Sequence, residues 1–325
     1  MPYRLEPHPA SVLAAPSGRR IELKVHRCLW SGQYPENSLA AIEECYRQRV
    51  ARAEIDIAML RDADFLVVHD VELEACTTGS GRVSDTTRAQ ASRLRLQIDG
   101  AVSEHSPPLL SEVVATIAAF EFPTLLELDL KDTEPWPWAR VEELCRLVEG
   151  VHDRVILAGC ADWNLRRVLR VDPTTPVGFN PAFYLDWQPE GDPLEALPGL
   201  RGAYGYLDAH PLARERRGPV SDYLADRLGG ILRLVPGARE AHLRLQAFER
   251  MLDDGVADAA ELFHREGMVL DVWTLDAGTP HWRRRLARAV AAGVDVVTTN
   301  TAPALAALDL VAVQGEAGTL PAVDG

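Results

Sequence analysis

Cysteine and positive charge are both scarce in this chain of 325 residues. The five cysteines are odd in number and include no Cys-x-x-Cys pair, which argues against a disulfide framework and against a thiolate zinc site. Lysine and arginine total 34 against 48 acidic residues. The resulting net charge of −14 argues against nucleic acid or an anionic membrane surface as the main partner.

Long apolar runs are also missing, since none approaches the ~20 residues that a transmembrane helix needs. Residues 1–20 contain no apolar stretch flanked by basic residues, so we expect no signal peptide. With unpaired cysteines, this favours a cytoplasmic protein without stable membrane association. Apolar residues make up 47% and charged residues 25% of the chain, which is typical of a globular protein.

The chain alternates short β-branched runs with amphipathic helical stretches, which is typical of parallel β-α units. The strand count reaches eight when weak candidates at 176–179 and 203–207 are included, and this favours a (β/α)8 TIM barrel. We expect an N-terminal extension at 1–20, the barrel at 21–312 and a flexible tail at 313–325. The segment 183–266 shows no clear order of elements.

The stretch 53–70 has the densest chemistry. Glu54 and Asp56 stand at i, i+2 in an apolar run, so an extended strand places both carboxylates on one face. The turn-like residues 61–64 then predict a hairpin, a small excursion after strand 2. If Leu60 pairs with Phe65, Asp56 lies opposite His69, and the imidazole joins the two acids. Burying two carboxylates and an imidazole together costs free energy of folding unless a metal ion or a charged partner is present, so this group resembles a hydrolytic metal site.

Two further clusters stand at strand ends, where barrel enzymes keep their active sites. His26-Arg27 ends the first strand. In the run 126–131, Glu127, Asp129 and Lys131 share one face of a strand, and leucines occupy the other.

The order of these motifs resembles the glycerophosphodiester phosphodiesterase family, within the phosphatidylinositol phospholipase C-like superfamily. The resemblance is dense over 26–131 and returns over 268–300. The motifs that carry it are His26-Arg27, Pro35-Glu36-Asn37-Ser38, Glu54-x-Asp56, His69-Asp70, Thr77-Thr78, 81–85, Pro107-Pro108-Leu109 with Glu112, Asp129-x-Lys131, Val272-Trp273-Thr274 and Gly293-Val294-Asp295 with Thr298.

The resemblance implies a (β/α)8 barrel that cleaves glycerophosphodiesters, small soluble substrates, to glycerol 3-phosphate and an alcohol with a divalent cation, Ca2+ or Mg2+. It implies a role for each matching residue. The metal ligands are Glu54, Asp56 and Asp129, with Glu127 as a competing candidate. The general acid and base are His26 and His69, and the residues that contact the substrate are Arg27, Lys131 and Trp273. Glu36 and Asn37 hold these side chains in place.

The sequence departs from the family pattern in four places. Cys28 stands where the family usually has glycine, Asp276 replaces the usual asparagine, Asn300 replaces the usual aspartate, and the third ligand is Asp129 rather than glutamate. These departures bear on the substrate more than on the chemistry.

Several alternatives stay open at this point. Glu54 and Asp56 can form buried ion pairs with Arg27 and Lys131 without a metal, and Trp273 suits the barrel core as well as a substrate wall. A related barrel enzyme of the phospholipase D or C type would form a cyclic phosphate from lipid head groups. A third reading is a phosphodiester-binding barrel without catalysis, in which Cys28 marks a lost active site.

Overall fold

The computed structural model describes residues 6–98, 100–188 and 202–310. The strands in these residues are β1 (Val12–Ala14), β2 (Arg20–Val25), β3 (Arg52–Met59), β4 (Phe65–Val67), β5 (Gln97–Ile98), β6 (Ala101–Val102), β7 (Leu125–Leu130), β8 (Val155–Gly159), β9 (Val177–Phe179), β10 (Leu185–Asp186), β11 (Leu207–Asp208), β12 (Glu240–Arg244), β13 (Val269–Trp273) and β14 (Val296–Thr299). The α-helices are α1 (Leu39–Arg47), α2 (Arg88–Ala91), α3 (Leu110–Ala118), α4 (Trp138–Val148), α5 (Asp162–Val171), α6 (Val220–Leu232), α7 (Leu245–Asp253), α8 (Glu261–His264), α9 (Trp282–Ala291) and α10 (Ala302–Ala306).

Eight of these strands run parallel and close into a barrel. Their order around it is β2-β3-β7-β8-β9-β12-β13-β14, and β14 pairs with β2 to complete the circle. At least one α-helix follows each barrel strand. The (β/α)8 fold expected from the alternation of patterns is therefore confirmed.

Alternation along each strand sorts apolar and ionisable side chains onto opposite faces of the barrel wall. On β3, Ile55 and Ile57 are fully buried in the hydrophobic core. Glu54 and Asp56 alternate with them and pair in register with Glu127 and Asp129 of β7. Barrel interiors of this fold are usually filled by branched apolar residues. Here the interior is instead built largely from charged side chains, which is the feature that positions the site.

The expected hairpin is present, but its register was predicted wrongly by one residue. Met59, not Leu60, pairs with Phe65, so Asp56 lies opposite Val68, whose backbone N–H donates to the Asp56 carbonyl. The reason is a longer turn that includes Leu60 and ends at Asp64, which has a left-handed φ of 69°. β4 ends at Val67, so the pairing rule no longer governs the side chain of His69.

The weak strand candidate at 203–207 was wrong as a barrel strand. Only Leu207 of that stretch is extended, in β11, which pairs with β10 in a small two-stranded sheet. The sixth barrel strand is β12, inside the region that the sequence left unordered. Val83–Asp85 form a short 3₁₀ helix, and α2 begins at Arg88, after a capping box between Thr87 and Gln90.

The segment before the barrel is joined to it. Val12–Ala14 pairs antiparallel with β2 at the end of the barrel opposite the strand carboxyl ends. The domain bounds themselves stay a prediction, and the tail at 313–325 lies outside the described residues.

Candidate active site

Three carboxylates from two neighbouring strands meet at the carboxyl end of the barrel. Glu54 and Asp56 come from β3 and Asp129 from β7, because the register pairs Asp56 with Asp129. One oxygen from each carboxylate lies within 4.8 Å of the others. Glu54 is 4% and Asp56 1% exposed, whereas the Asp129 side chain is 28% exposed, so the cluster is open to solvent on the Asp129 side.

These carboxylates have different protonation tendencies. Burial raises the pKa of Glu54 well above its usual range, and the charges of Asp56 and Asp129 raise it further. Burial alone would raise the pKa of Asp56 as well, but Lys131, His69 and Arg27 together lower it. Asp56 is therefore a carboxylate anion paired with cationic side chains. At Glu54, by contrast, the neighbouring positive charge does not offset burial and the repulsion from the other carboxylates.

Lys131 bridges the cluster. Its Nζ lies 2.8 Å from Asp56 Oδ1 and 2.9 Å from Asp129 Oδ2. These carboxylates hold the pKa of Lys131 well above its ordinary value, although burial opposes them. A phosphate arriving here would meet an ammonium group that is already oriented.

Arg27 is held on the opposite side of the cluster by a strained backbone. Its φ is 48° and that of Cys28 is 56°, so two successive residues occupy the left-handed region. The Arg27 backbone N–H donates to Glu54 Oε2 at 2.7 Å, and Nη1 donates to Glu36 Oε1 at 2.8 Å. Arg27 Nε lies 3.4 Å from Asp56 Oδ2.

The same backbone geometry explains the position where the family usually has glycine. A left-handed φ favours glycine, and Cys28 adopts it at a steric cost. The Cys28 side chain is fully buried in the hydrophobic core beside Cys45, so it does not line the carboxylate cluster. Burial raises the pKa of its thiol well above the ordinary value, which disfavours a nucleophilic role.

Asn37 and Ser38, which are neighbours in the sequence, have different tasks. Ser38 is the N-cap of α1, since its Oγ accepts from the Ala41 N–H at 3.2 Å. Asn37 instead clamps Asp56: its Nδ2 donates to Asp56 Oδ2 at 2.8 Å, and its Oδ1 accepts from the Asp56 N–H at 3.1 Å. The amide thus fixes one carboxylate of the cluster.

Both expected histidines lie at the rim of the cluster. His26 Nε2 is 4.0 Å from Glu54 Oε2, and burial together with the charge of Arg27 lowers the pKa of His26. His69 contributes to the field at Asp56, and its Nδ1 lies 3.3 Å from Asp70 Oδ2. His69 therefore reaches the site in spite of the wrong register prediction.

Asn300 and Asp276 were noticed only as departures from a motif, and the structure gives them a place behind His26. Asn300 Nδ2 donates to Asp276 Oδ2 at 2.8 Å, which turns Oδ1 toward His26 Nδ1 at 2.9 Å. The Asn300 backbone N–H also donates to Asp276, at 2.6 Å. Because an amide oxygen only accepts, His26 Nδ1 carries the proton and Nε2 faces the carboxylates with its lone pair.

Glu127 belongs to a different layer of charged residues inside the barrel, the inner layer. It forms a buried ion pair with Lys24, and its Oε1 lies 3.3 Å from His242 Nδ1. Lys24 also contacts Asp271 at 2.6 Å, and Arg52 pairs with Glu240. Sequence reasoning missed this network; its signal was the spacing of charged residues at i, i+2 in Glu240-x-His242-x-Arg244 and Glu22-x-Lys24-x-His26.

The residues of the inner layer balance their own charge. Burial alone would lower the pKa of His242, but the carboxylates of Glu127 and Glu240 raise it to about 9. Three buried anions, Glu127, Glu240 and Asp271, then face three cations, Lys24, Arg52 and protonated His242. Arg52 also pairs with the partly exposed Glu22, which has a second partner in Arg20. Glu127, Glu240 and His242 also have metal-like spacing, but this balance leaves them little demand for a further cation.

Trp273 ends β13 and is half-buried at the same end of the barrel. The Arg244 guanidinium lies 5.5 Å from its ring centroid. The tryptophan therefore contributes to the barrel mouth rather than to the hydrophobic core alone.

The donor atoms of the carboxylate cluster at the barrel mouth fit a hard divalent cation. Glu54, Asp56 and Asp129 offer oxygen atoms, which suit Ca2+ or Mg2+ better than the nitrogen and sulfur ligands of a zinc site do. The raised pKa of Glu54 is the physical sign that this group lacks positive charge. Fold and geometry thus define a (β/α)8 barrel with a candidate metal centre flanked by two histidines.

Comparison with known proteins finds one family that resembles the site-bearing part of the chain. Residues 26–182 match the model of the glycerophosphoryl diester phosphodiesterase family. The resemblance expected from the motifs is therefore confirmed. The matched segment contains both histidines, all three carboxylates and Lys131.

Curated relatives match over part of their length. The Bacillus subtilis protein YqiK, which is uncharacterized, is 30% identical over 132 residues, which cover 39% of this chain and 54% of that protein. A glycerophosphodiester phosphodiesterase of Caldanaerobacter subterraneus is 24% identical over 153 residues, covering 46% of this chain and 62% of the relative. The matches thus span little more than half of these relatives.

Solved structures match over nearly the whole chain at low identity. One from Silicibacter pomeroyi has a TM-score of 0.63 at 18% identity and covers 90% of this chain and 94% of that one. An Oleispira antarctica phosphodiesterase in complex with the product sn-glycerol-3-phosphate has a TM-score of 0.59 at 17% identity, covering 87% and 94%. At these identities the likeness shows the fold alone.

Among the described residues, no helix has the length and apolarity to cross a membrane.

Proposed function

We propose that this protein hydrolyses glycerophosphodiesters to glycerol 3-phosphate and an alcohol with the help of a divalent cation. The observation that carries the proposal is the meeting of Glu54, Asp56 and Asp129 within 4.8 Å, at the barrel end where active sites of this fold lie. The family of residues 26–182 and the product complex of the Oleispira antarctica phosphodiesterase support the same substrate class.

The three carboxylates would hold Ca2+ or Mg2+, with Glu127 left to its own ion pairs. When bound, such an ion neutralises the phosphodiester charge and polarises the phosphorus centre. Arg27 and Lys131 supply further positive charge from two sides. The Arg27 guanidinium suits two phosphate oxygens at once, and Glu36 fixes its orientation.

The two histidines divide the proton transfers. His26 presents an unprotonated Nε2 toward the carboxylates, because Asn300 holds the proton on Nδ1. It therefore accepts a proton from the neighbouring glycerol hydroxyl group as that oxygen attacks phosphorus. His69, beside Asp70, donates a proton to the alcohol oxygen as its bond to phosphorus breaks, which leaves a cyclic phosphate. Water then attacks phosphorus and opens the ring to glycerol 3-phosphate, with the two histidines in exchanged roles. Positioned acid–base groups of this kind contribute about 10²–10⁴-fold to the rate.

The decisive experiment follows release of glycerol 3-phosphate from a panel of glycerophosphodiesters, with EDTA and then with Ca2+, Mg2+ or Mn2+ restored. We expect metal-dependent release that His26→Ala and Glu54→Gln lower by at least about 100-fold. His152→Ala is the matched control, since His152 lies in the turn before β8, at the opposite end of the barrel.

Two results would contradict the proposal. A cyclic phosphate as the stable end product would identify a lyase of the phospholipase type instead. Absence of turnover for every diester and metal, in a protein that is folded by circular dichroism, would favour a binding protein. Calorimetric titration of Mg2+ or Ca2+ into wild type and Glu54→Gln tests the metal site independently of activity.

A further inference from the structure

A further cationic side chain, which none of the roles above uses, stands at the mouth of the barrel. Arg244 is the last residue of β12 and pairs in register with Trp273 of β13. It is 6% exposed. Its Nη2 lies 3.2 Å from Oδ2 of Asp186, the last residue of the short strand β10.

This corner, formed by Arg244, Trp273 and Asp186, contains buried N–H donors without acceptors. Arg244 Nε and Nη1 and Trp273 Nε1 have no hydrogen-bond partner among the described residues. Buried donors are nearly always paired in folded proteins, and leaving one unpaired destabilises the folded state. Three such donors on two touching side chains indicate a site built for a ligand that brings acceptor atoms.

The corner shares the barrel mouth with the carboxylate cluster. Arg244 and Trp273 end β12 and β13, and Asp129 stands near the end of β7, so all three lie at the carboxyl end of the same closed barrel. Cys160, directly after β8, has a thiol whose pKa burial raises to about 12, and the charges of Asp129, Lys131, Asp186 and Arg244 all act on it. A substrate with its phosphate on Lys131 and Arg27 would extend across this mouth toward Arg244.

The charge of the corner restricts the ligand. Asp186 neutralises Arg244, so the corner offers hydrogen-bond donors without net positive charge. A quaternary ammonium group has no acceptor atoms to match these donors, and a further anion would meet Asp186 and Asp129. Uncharged hydroxyl groups satisfy the donors without either conflict.

We propose that this corner binds the head group of the substrate and selects an uncharged polyol, such as glycerol or a cyclitol. This inference rests on the proposed function, and it adds the class of alcohol that the reaction releases. Arg244 is the specificity-determining residue, and Trp273 supplies the third donor.

The test compares kcat/KM for glycerophosphoglycerol, glycerophosphoinositol and glycerophosphocholine in wild type, Arg244→Met and Arg244→Lys. Methionine keeps an unbranched apolar side chain but has no donor, and lysine keeps the charge without the planar fork. We expect wild type to prefer the two polyol diesters. In Arg244→Met the loss for these diesters should exceed the loss for glycerophosphocholine by about 10–100-fold, with partial rescue in Arg244→Lys.

An equal loss for all three diesters would overturn the proposal, because the corner would then contact the shared glycerol phosphate. A wild-type preference for the choline diester would overturn it as well. If Arg244→Met does not fold, Trp273→Phe removes one donor and keeps an aromatic ring, and the same selective loss is expected.

Failure of the proposed function gives a different pattern, namely no turnover of any diester by wild type. The corner is then judged by binding alone, from saturation-transfer NMR with free glycerol, myo-inositol and choline. Binding of the polyols that Arg244→Met abolishes supports the corner as a polyol site. Binding of choline only, or of none of the three, refutes it.

Discussion

At the scale of single residues, the depth of a carboxylate inside the barrel decides whether it belongs to the carboxylate cluster at the mouth or to the inner layer of charged residues. Glu127 and Asp129 stand two residues apart on one face of β7, and the sequence could not rank them as ligands. The register does: Glu127 pairs with Glu54, and Asp129 pairs with Asp56, nearer the barrel mouth. Depth depends on the stagger between strands, which no local pattern encodes.

The two acids should therefore respond differently to loss of charge. We expect Asp129→Asn to weaken binding of Mg2+ or Ca2+ by about 100-fold, measured by calorimetry. Glu127→Gln should leave the affinity for metal nearly unchanged but lower the free energy of unfolding by about 3 kcal/mol, because Lys24 loses a buried partner. The opposite assignment of the two effects would make Glu127 the ligand.

Asn300 is a positioning residue whose effect should appear in kcat. Its amide oxygen holds the Nδ1 proton of His26, and Asp276 fixes the amide. Asn300→Leu should lower kcat about tenfold with little change in KM, since one hydrogen bond is lost and no substrate contact is. Asn300→Asp combined with Asp276→Asn keeps an acceptor toward His26 and a donor–acceptor pair behind it, and this double variant should retain more activity than the leucine variant. A change confined to KM would contradict the positioning role.

At the scale of elements, the sequence predicted the existence of the hairpin but not its register. The turn was read as the four residues 61–64, whereas Leu60 also belongs to it and Asp64 adopts a left-handed φ. Asp64 is stabilised there by its side chain, which accepts from the Phe65 N–H at 2.9 Å and from the Ser111 hydroxyl at 2.5 Å. Such turn chemistry changes the pairing by one residue.

Asp64 should therefore be important for stability although it lies outside the carboxylate cluster. We expect Asp64→Ala to lower the free energy of unfolding by about 2–3 kcal/mol, because it removes buried hydrogen bonds at a left-handed position. Asp64→Asn is the matched control, since asparagine tolerates that backbone and still accepts, and it should cost less than about 1 kcal/mol. Chemical denaturation measures both, and equal losses would rule out the backbone contribution.

The strand that the sequence missed has an instructive composition. In β12 the inward residues Glu240, His242 and Arg244 are all ionisable, so the segment lacks the apolar run that usually marks a buried parallel strand. Strands such as β8 (Val155–Gly159) contain that run and are recognisable in the sequence. Strands that line a charged barrel interior are therefore difficult to recognise from the hydrophobic pattern of the sequence.

At the scale of the whole molecule, the interior of the barrel is stable only while its charges balance. His242 is the titrating member, with a pKa raised to about 9 from the ordinary 6.5. Because the pKa is raised in the folded state, its stabilising effect is complete below about pH 6.5 and is lost as the pH rises through about 9.

We expect the free energy of unfolding to fall by up to about 3 kcal/mol between pH 6 and pH 9. Denaturant titrations at both pH values measure it. His242→Gln should be less stable at pH 6 but should lose less on going to pH 9. His152→Gln, at a half-exposed histidine outside the interior, should follow wild type. The same pH dependence in His242→Gln as in wild type would exclude His242 as its source.

The order of these groups along the chain has a consequence for how such a protein can change. The proposed reaction groups, His26 to Lys131, come from the first half of the barrel, which is also where residues match the family model. The corner proposed to select the alcohol comes from Asp186, Arg244 and Trp273, all beyond the middle of the chain. Joining the first half of this barrel to the second half of a relative should therefore transfer alcohol preference, and the reaction should persist where the new half supplies the groups that hold His26 and balance the interior, as Asp276, Asn300 and His242 do here. One chemistry can then serve successive substrates by recombination.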